Sequence, residues 1–227
     1  MRGIVIVLMI VSLYSCTQRQ EYIVQRVTDG AIQVDGKIDE EAWRNATKIN
    51  SFINPWNKDV TPPVTFAMLR DARFVYFYFD AKDNDIVVKD DFDGERDVEV
   101  EDRVELFFSK DPDMEEYYGL EMDPQEKILS YRATYYRQFD YDWEPPDGMK
   151  TAARIYPGGY IVEGMIPIDF LQRLSDGGAV LAGIYRGEFS KEGSTIIENW
   201  MTWVDPKTKM PDFHVPASLG KIILSDE

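Results

Sequence analysis

Trp200 and Trp203 stand three residues apart, ahead of an Asp205-Pro206 turn and a loop that carries Phe213 and the single histidine, His214. Flat aromatic rings offer a broad apolar face, and tryptophan adds a polar edge. Carboxylates and guanidinium groups nearby supply acceptors and donors in fixed directions. That combination suits the face of a sugar ring and the hydroxyls around it. Glu105, in the run Arg103-Val104-Glu105-Leu106-Phe107, and Arg186, in Gly183-Ile184-Tyr185-Arg186-Gly187-Glu188-Phe189, are the polar partners at hand. The expectation is that Trp203 and Phe213 stack on a neutral mono- or oligosaccharide, with Glu105, Arg186 and His214 orienting it. Plainer roles stand beside each of these. Trp203 could be a core residue, Glu105 and Arg186 a structural ion pair across a sheet, and His214 satisfied by its neighbours. Trp200 and Trp203 have opposite parity on a strand, so one is expected to be buried and the other displayed.

Catalytic chemistry finds less support. A Ser-His-Asp triad would have to use His214, and the chain has no G-x-S-x-G elbow. A zinc centre needs more than one histidine and one cysteine. A glycosidase needs only two carboxylates at a set separation. Counting does not exclude that, and Glu105 with Glu188 or Asp205 is the pair to test. A haem held by His214 with Met201 or Met210 is a further alternative.

The ten carboxylates between Asp83 and Asp102 are oxygen donors of the kind calcium takes. With Gly94 at the loop glycine, however, Lys89 takes the first ligand position and Val100 the last, so the stretch is not an EF-hand. It is expected to be a solvated, mobile loop. Calcium through a non-contiguous site stays open.

The chain has 227 residues and a formal net charge of −16. No basic stripe is visible, which excludes nucleic acid as a partner and disfavours an anionic polysaccharide. Arg2, the apolar run Ile4–Val11, and Leu13-Tyr14-Ser15-Cys16 have the layout of a secretory signal. The signal resembles that of a bacterial lipoprotein, in which Cys16, the only cysteine, is lipidated. The chain is therefore expected to be exported and lipid-anchored to an envelope membrane, at the outer membrane or facing the periplasm. Residues 1–16 form the signal, 17–30 a polar tether and 31–226 one domain.

These side chains must be positioned mainly by strands. Runs at 65–69, 73–81, 103–109, 117–122, 127–136, 152–156, 160–167, 179–189, 196–204 and 221–224 alternate or are rich in β-formers. Turn residues such as Asp71 and Pro157-Gly158-Gly159 separate them. Helical turns are expected only at 39–46, capped by Asp39, and at 168–174. About ten short strands predict an antiparallel β-sandwich of two packed sheets.

Four pieces, in order, carry a family resemblance: Asp35-Gly36-Lys37-Ile38-Asp39-Glu40-Glu41-Ala42-Trp43; Asp102-Arg103-Val104-Glu105-Leu106-Phe107; Gly159-Tyr160-Ile161-Val162-Glu163; and Trp203-Val204-Asp205-Pro206 through Phe213-His214-Val215-Pro216 to Leu219-Gly220. Together they resemble the family 9 carbohydrate-binding modules, and within that superfamily a subgroup of single-domain lipoproteins. The resemblance implies a non-catalytic β-sandwich that grips sugars between aromatic rings, often attached to xylanases or otherwise accessory to glycoside hydrolases. Some members bind calcium structurally. It places Glu105 at the family's sugar-binding glutamate and Phe213 at one wall of the aromatic clamp, where tryptophan is usual. The other wall falls near Glu99, the usual arginine near Gly119, and Arg186 where an amide is typical. Trp56 or Trp143 could rebuild the missing wall, or could simply cover the sandwich edge. A chain that kept the fold, lost the sugar site and serves as a partner-binding envelope protein is the alternative.

Overall fold

The computed structural model describes residues 19–224; Cys16 and the signal-like run before it lie outside the described residues. Thirteen strands and two short helices follow in the order β1 (Glu21–Arg26), α1 (Glu41–Asn45), β2 (Lys48–Ile49), β3 (Val64–Arg70), β4 (Phe74–Lys82), β5 (Arg103–Ser109), β6 (Tyr117–Met122), β7 (Ile128–Thr134), β8 (Gln138–Asp140), β9 (Lys150–Tyr156), β10 (Gly159–Pro167), α2 (Ile168–Leu174), β11 (Ala179–Glu192), β12 (Thr195–Thr202) and β13 (Gly220–Leu224).

The strands form two layers. One runs β8-β7-β6-β5-β11-β13-β1, with β12 also on β11; the other runs β1-β3-β4-β10-β9, with β2 on β3. β1 joins them. Its residues 21–24 pair in parallel with β13, and residues 25–26 pair in parallel with β3. The sandwich is as expected, with more strands than the sequence shows and with these two parallel pairings among otherwise antiparallel ones.

β1 lies within the segment read as a tether. Its Tyr22 and Val24 are buried, and the Tyr22 hydroxyl donates to the Met68 carbonyl (3.1 Å) and accepts from the Met68 amide (2.8 Å). Only two apolar residues alternate here among Glu21, Gln25 and Arg26, too weak a pattern to register as a strand.

Period-2 alternation sorts the strands between the layers. Val104, Leu106 and Phe108 of β5, Leu120 and Met122 of β6, and Ile184 of β11 meet Phe66, Phe77, Phe79 and Val162 of the facing sheet in the main core. Their neighbours Arg103, Glu105 and Phe107 therefore point to the outer face of the β5 sheet. The β3–β4 turn is closed by buried Asp71, whose Oδ1 accepts from the amides of Arg73 (2.7 Å) and Phe74 (2.8 Å), a side-chain mimic of a backbone turn.

On the outer face of the other sheet, Trp43 of α1 packs edge-on against Tyr78, with ring centres 4.9 Å apart. Buried Glu163 accepts from the amides of Asp35 and Gly36, each at 3.0 Å, and from the Trp43 indole at 3.2 Å. Two of the resembling motifs are thus one structural clasp, remote from the cleft described next. Glu40, not Asp39, is the N-cap residue of α1, and it makes no side-chain cap bond.

Candidate functional site

The outer face of the β5 sheet carries a cleft of about 620 Å³. Its floor comes from Arg103 and Glu105 of β5, Glu121 of β6 and Tyr131 of β7. Its sides come from Phe139 and Tyr141, from Trp200 and Glu198 of β12, and from the loop Met210–His214, with Arg96, Glu99 and Arg137 at the margin.

The register explains the floor. Glu105 pairs with Glu121 on one side and with Tyr185 on the other, while Gly187 lies opposite both Arg103 and Trp200. These residues share a face by parity alone. Gly119 is where a Cβ would overlap the Tyr131 ring. The position where the family resemblance implies an arginine is therefore covered by a tyrosine, and the cleft's central guanidinium comes from Arg103.

Arg103 is held on all sides. Its Nε donates to Glu121 Oε2 (2.7 Å) and lies 3.0 Å from Glu105 Oε1. Its Nη1 donates to the carbonyls of Glu99 (3.0 Å) and Glu101 (3.2 Å). The guanidinium carbon lies 5.0 Å from the centre of the Trp200 ring, a cation–π distance. The Tyr131 hydroxyl donates to Glu121 Oε1 at 3.0 Å.

Because the Arg103 Nε–H points to Glu121, Glu105 Oε1 is close to positive charge yet receives no hydrogen bond. Burial, and then the neighbouring Glu121 carboxylate, push the Glu105 carboxyl well above the usual carboxylate range. Glu105 is 2 % exposed. A buried carboxyl oxygen with an open valence on the cleft floor is expensive unless something fills it.

Phe213 and His214 line the same cleft. One face of Phe213 is stacked on Tyr185, 4.1 Å between centres and 9° between planes, so Phe213 is an anchored wall and not a free ring. His214 Nδ1 lies 3.0 Å from the Tyr117 hydroxyl, and its ring packs against Phe107 and Phe139. Burial, and then the Arg137 charge, lower its pKa to about 3. It is a neutral hydrogen-bonding group at physiological pH.

Two expected site residues lie elsewhere. Trp203 is 6 % exposed and sits in the main core. Its amide donates to the Ile184 carbonyl (3.1 Å), and its indole lies over Gly220, where a Cβ would overlap it. The parity expectation holds, and Trp200 is the displayed partner. Arg186 is fully buried on the inner side of β11, opposite Val104 and not Glu105. It donates to Asp83 Oδ2 (2.7 Å) and the Lys82 carbonyl (3.0 Å). An ion pair between Arg186 and Glu105 is ruled out because the two side chains leave opposite faces of one sheet.

The same geometry separates the carboxylates weighed for hydrolysis. Glu188 shares the inner face with Arg186 and accepts from Asn199 (2.9 Å). Asp205 pairs with Lys207 (2.6 Å) outside the cleft lining. Met201 is buried on the inner side of β12, away from His214, while Met210 shares the cleft with it.

Trp56 does not line the cleft; it packs behind Phe213 at 5.9 Å and donates to the Thr208 carbonyl (3.2 Å). Trp143 packs on Tyr118 and Phe170. Tyr141 and Phe139, stacked at 5.5 Å and 25°, supply aromatic surface beside Glu99 in their place. The Tyr141 hydroxyl donates to Glu99 Oε1 at 3.3 Å.

The acidic stretch is more ordered than a solvated loop. A 3-10 helix spans Glu95–Val100, and Glu101 and Asp102 are fully buried. Among the described residues no group of three or more histidine, cysteine or acidic side chains is arranged to hold a metal ion. Where two buried carboxylates do approach, Lys127 Nζ lies 3.6 Å from Glu101 and 3.8 Å from Asp123. The positive charge there is the chain's own, and the donors do not fit calcium, which takes six to eight oxygens.

Residues 34–227 match the family described as "Carbohydrate family 9 binding domain-like". The chain belongs to this family. Solved structures agree on the fold. A candidate carbohydrate-binding protein of Bacteroides uniformis is 16% identical and has a TM-score of 0.68, covering 92% of this chain and 100% of that one. A family 9 module of Caldicellulosiruptor kristjanssonii in complex with glucose is 19% identical, with a TM-score of 0.60 and coverage of 92% and 98%. The complex of such a module from that organism with cellotriose is 17% identical, again with a TM-score of 0.60, covering 90% and 96%. No curated protein sequence matches the chain.

Proposed function

We propose that this family 9 domain binds a neutral sugar or oligosaccharide, without cleaving it, in the cleft over Arg103, Glu105 and Glu121. One observation carries the reading: Glu105, on the cleft floor, keeps a buried oxygen without a hydrogen-bond partner beside the Trp200, Tyr141 and Phe213 rings. A sugar hydroxyl would fill that valence while an aromatic face covers the ring's C–H surface. The glucose and cellotriose bound by the Caldicellulosiruptor modules support the ligand class.

Charge supports neutrality. The lining's guanidiniums are already engaged: Arg103 with Glu121, Arg96 with Glu99 (2.9 Å) and Arg137 with Asp212 (2.9 Å). None is left over for an anionic sugar. The reading is non-catalytic because the family is a binding family and because Glu188 and Asp205 lie away from Glu105.

The signal-like residues before Cys16 extend the proposal to a lipid-anchored envelope protein, accessory to polysaccharide breakdown. Membrane fractionation of the wild type against Cys16→Ala tests the anchor; an unchanged distribution would sink it.

The decisive test is calorimetric titration of residues 17–227 with gluco-, xylo- and manno-oligosaccharides, with and without calcium, alongside an assay for released reducing ends. Saturable binding without hydrolysis is expected. No binding across these sugars would leave the fold as a partner-binding envelope module, and hydrolysis would overturn the non-catalytic reading.

A further inference from the structure

We infer that the binding surface continues past the cleft onto Tyr136, which receives a further ring of the same neutral oligosaccharide. This rests on the sugar-binding reading of the cleft.

Tyr136 lies in the turn between β7 and β8 and is 49 % exposed. Scattered exposed tyrosines are ordinary and need no explanation. This one differs in being held. Its hydroxyl donates to Asp212 Oδ2 (2.7 Å) and accepts from Arg137 Nε (3.1 Å), while Arg137 Nη2 donates to Asp212 Oδ1 (2.9 Å). The Arg137 guanidinium carbon lies 5.4 Å from the centre of the Tyr136 ring, and the Tyr135 ring 5.4 Å away at 67°. Three charge-assisted bonds thus fix a ring that gains little by burial. An exposed aromatic side chain oriented in advance has already lost the freedom that binding would otherwise cost.

What holds it also ties it to the cleft. Arg137 and Asp212 are both cleft-lining residues, and Asp212 Oδ1 accepts from the His214 amide (2.9 Å). The loop so anchored presents Met210, 73 % exposed, on the cleft margin. Aromatic and apolar surface therefore runs outward from the cleft along the Asp212 loop. Arg137 and Asp212 neutralise each other, so this extension favours a neutral ring, as the cleft does.

The test is the ratio of affinities for cellotriose and glucose, measured by calorimetry on residues 17–227, with xylotriose against xylose and mannotriose against mannose in parallel. In the wild type the trisaccharide should bind about fivefold or more tightly, the scale of one aromatic face contact. Tyr136→Ala should bring that ratio to near one, and Tyr136→Phe, which keeps the ring, should hold it above about twofold. A wild-type ratio near one, or a ratio unaltered in Tyr136→Ala, overturns the inference while the cleft stands. No saturable binding of any of these sugars overturns the cleft reading, and this inference with it.

Discussion

The two tryptophans at the end of the chain make opposite predictions. Trp203 is enclosed by the main core, and its indole covers Gly220 on β13. Gly220 has no side chain to move into the space, so Trp203→Ala should leave a cavity that collapses poorly. Removal of a buried tryptophan costs about 3–5 kcal/mol, a large share of the roughly 5–15 kcal/mol that holds a domain together. At an m-value of about 2–3 kcal/mol/M, that lowers the urea midpoint by about 1.5 M. Trp200 is half-buried and displayed in the cleft beneath Arg103. Trp200→Ala should cost about 1–2 kcal/mol of stability. It should also weaken the tightest-binding neutral sugar about fivefold, the loss of one aromatic face. Urea titration followed by far-ultraviolet circular dichroism reads the first effect, and calorimetry below the transition reads the second. The reasoning fails if Trp203→Ala keeps its midpoint and loses binding, or if Trp200→Ala binds as the wild type does.

Arg186→Ala strands Asp83 as a buried, unpaired carboxylate and should destabilise by about 3–5 kcal/mol. The folded fraction should keep its sugar affinity, and a selective loss of affinity would put Arg186 back in the site. Glu105 supplies a pH dependence. Its carboxyl is raised from 4.5 to about 8 in the folded chain, so between those values the native state holds more proton than the unfolded state. Stability should therefore fall as pH rises across that window, by at most about 1.4 kcal/mol per unit from this group. Chemical denaturation at a series of pH values should show this slope flattened in Glu105→Gln; an unchanged slope would refute it.

Much of the architecture is local and was legible residue by residue. β5, β6 and α2 fall where alternation or helical spacing places them, because a single run of side chains encodes each. The segments that escaped are those whose structure is borrowed from elsewhere. β1 has two apolar residues and is a strand because β13 and β3 flank it. The acidic stretch is ordered because Asp102 accepts from the amides of Val87 and Phe189, contacts that no spacing within the stretch reveals.

The candidate site divides along the same line. The chain's chemistry specified by itself a β-sandwich, a carboxylate at Glu105 and an aromatic loop at Phe213 and His214, and parity showed that Trp200 and Trp203 could not both be displayed. Tertiary structure decided which one is. Parity fixes only that side chains alternate; the side that faces the second sheet is set by where that sheet packs. Its packing took Trp203 and Arg186 inward and left Trp200, Arg103 and Glu121 lining the cleft. The partner of Glu105 is likewise a tertiary fact, since register, not sequence distance, brings Glu121 across from it.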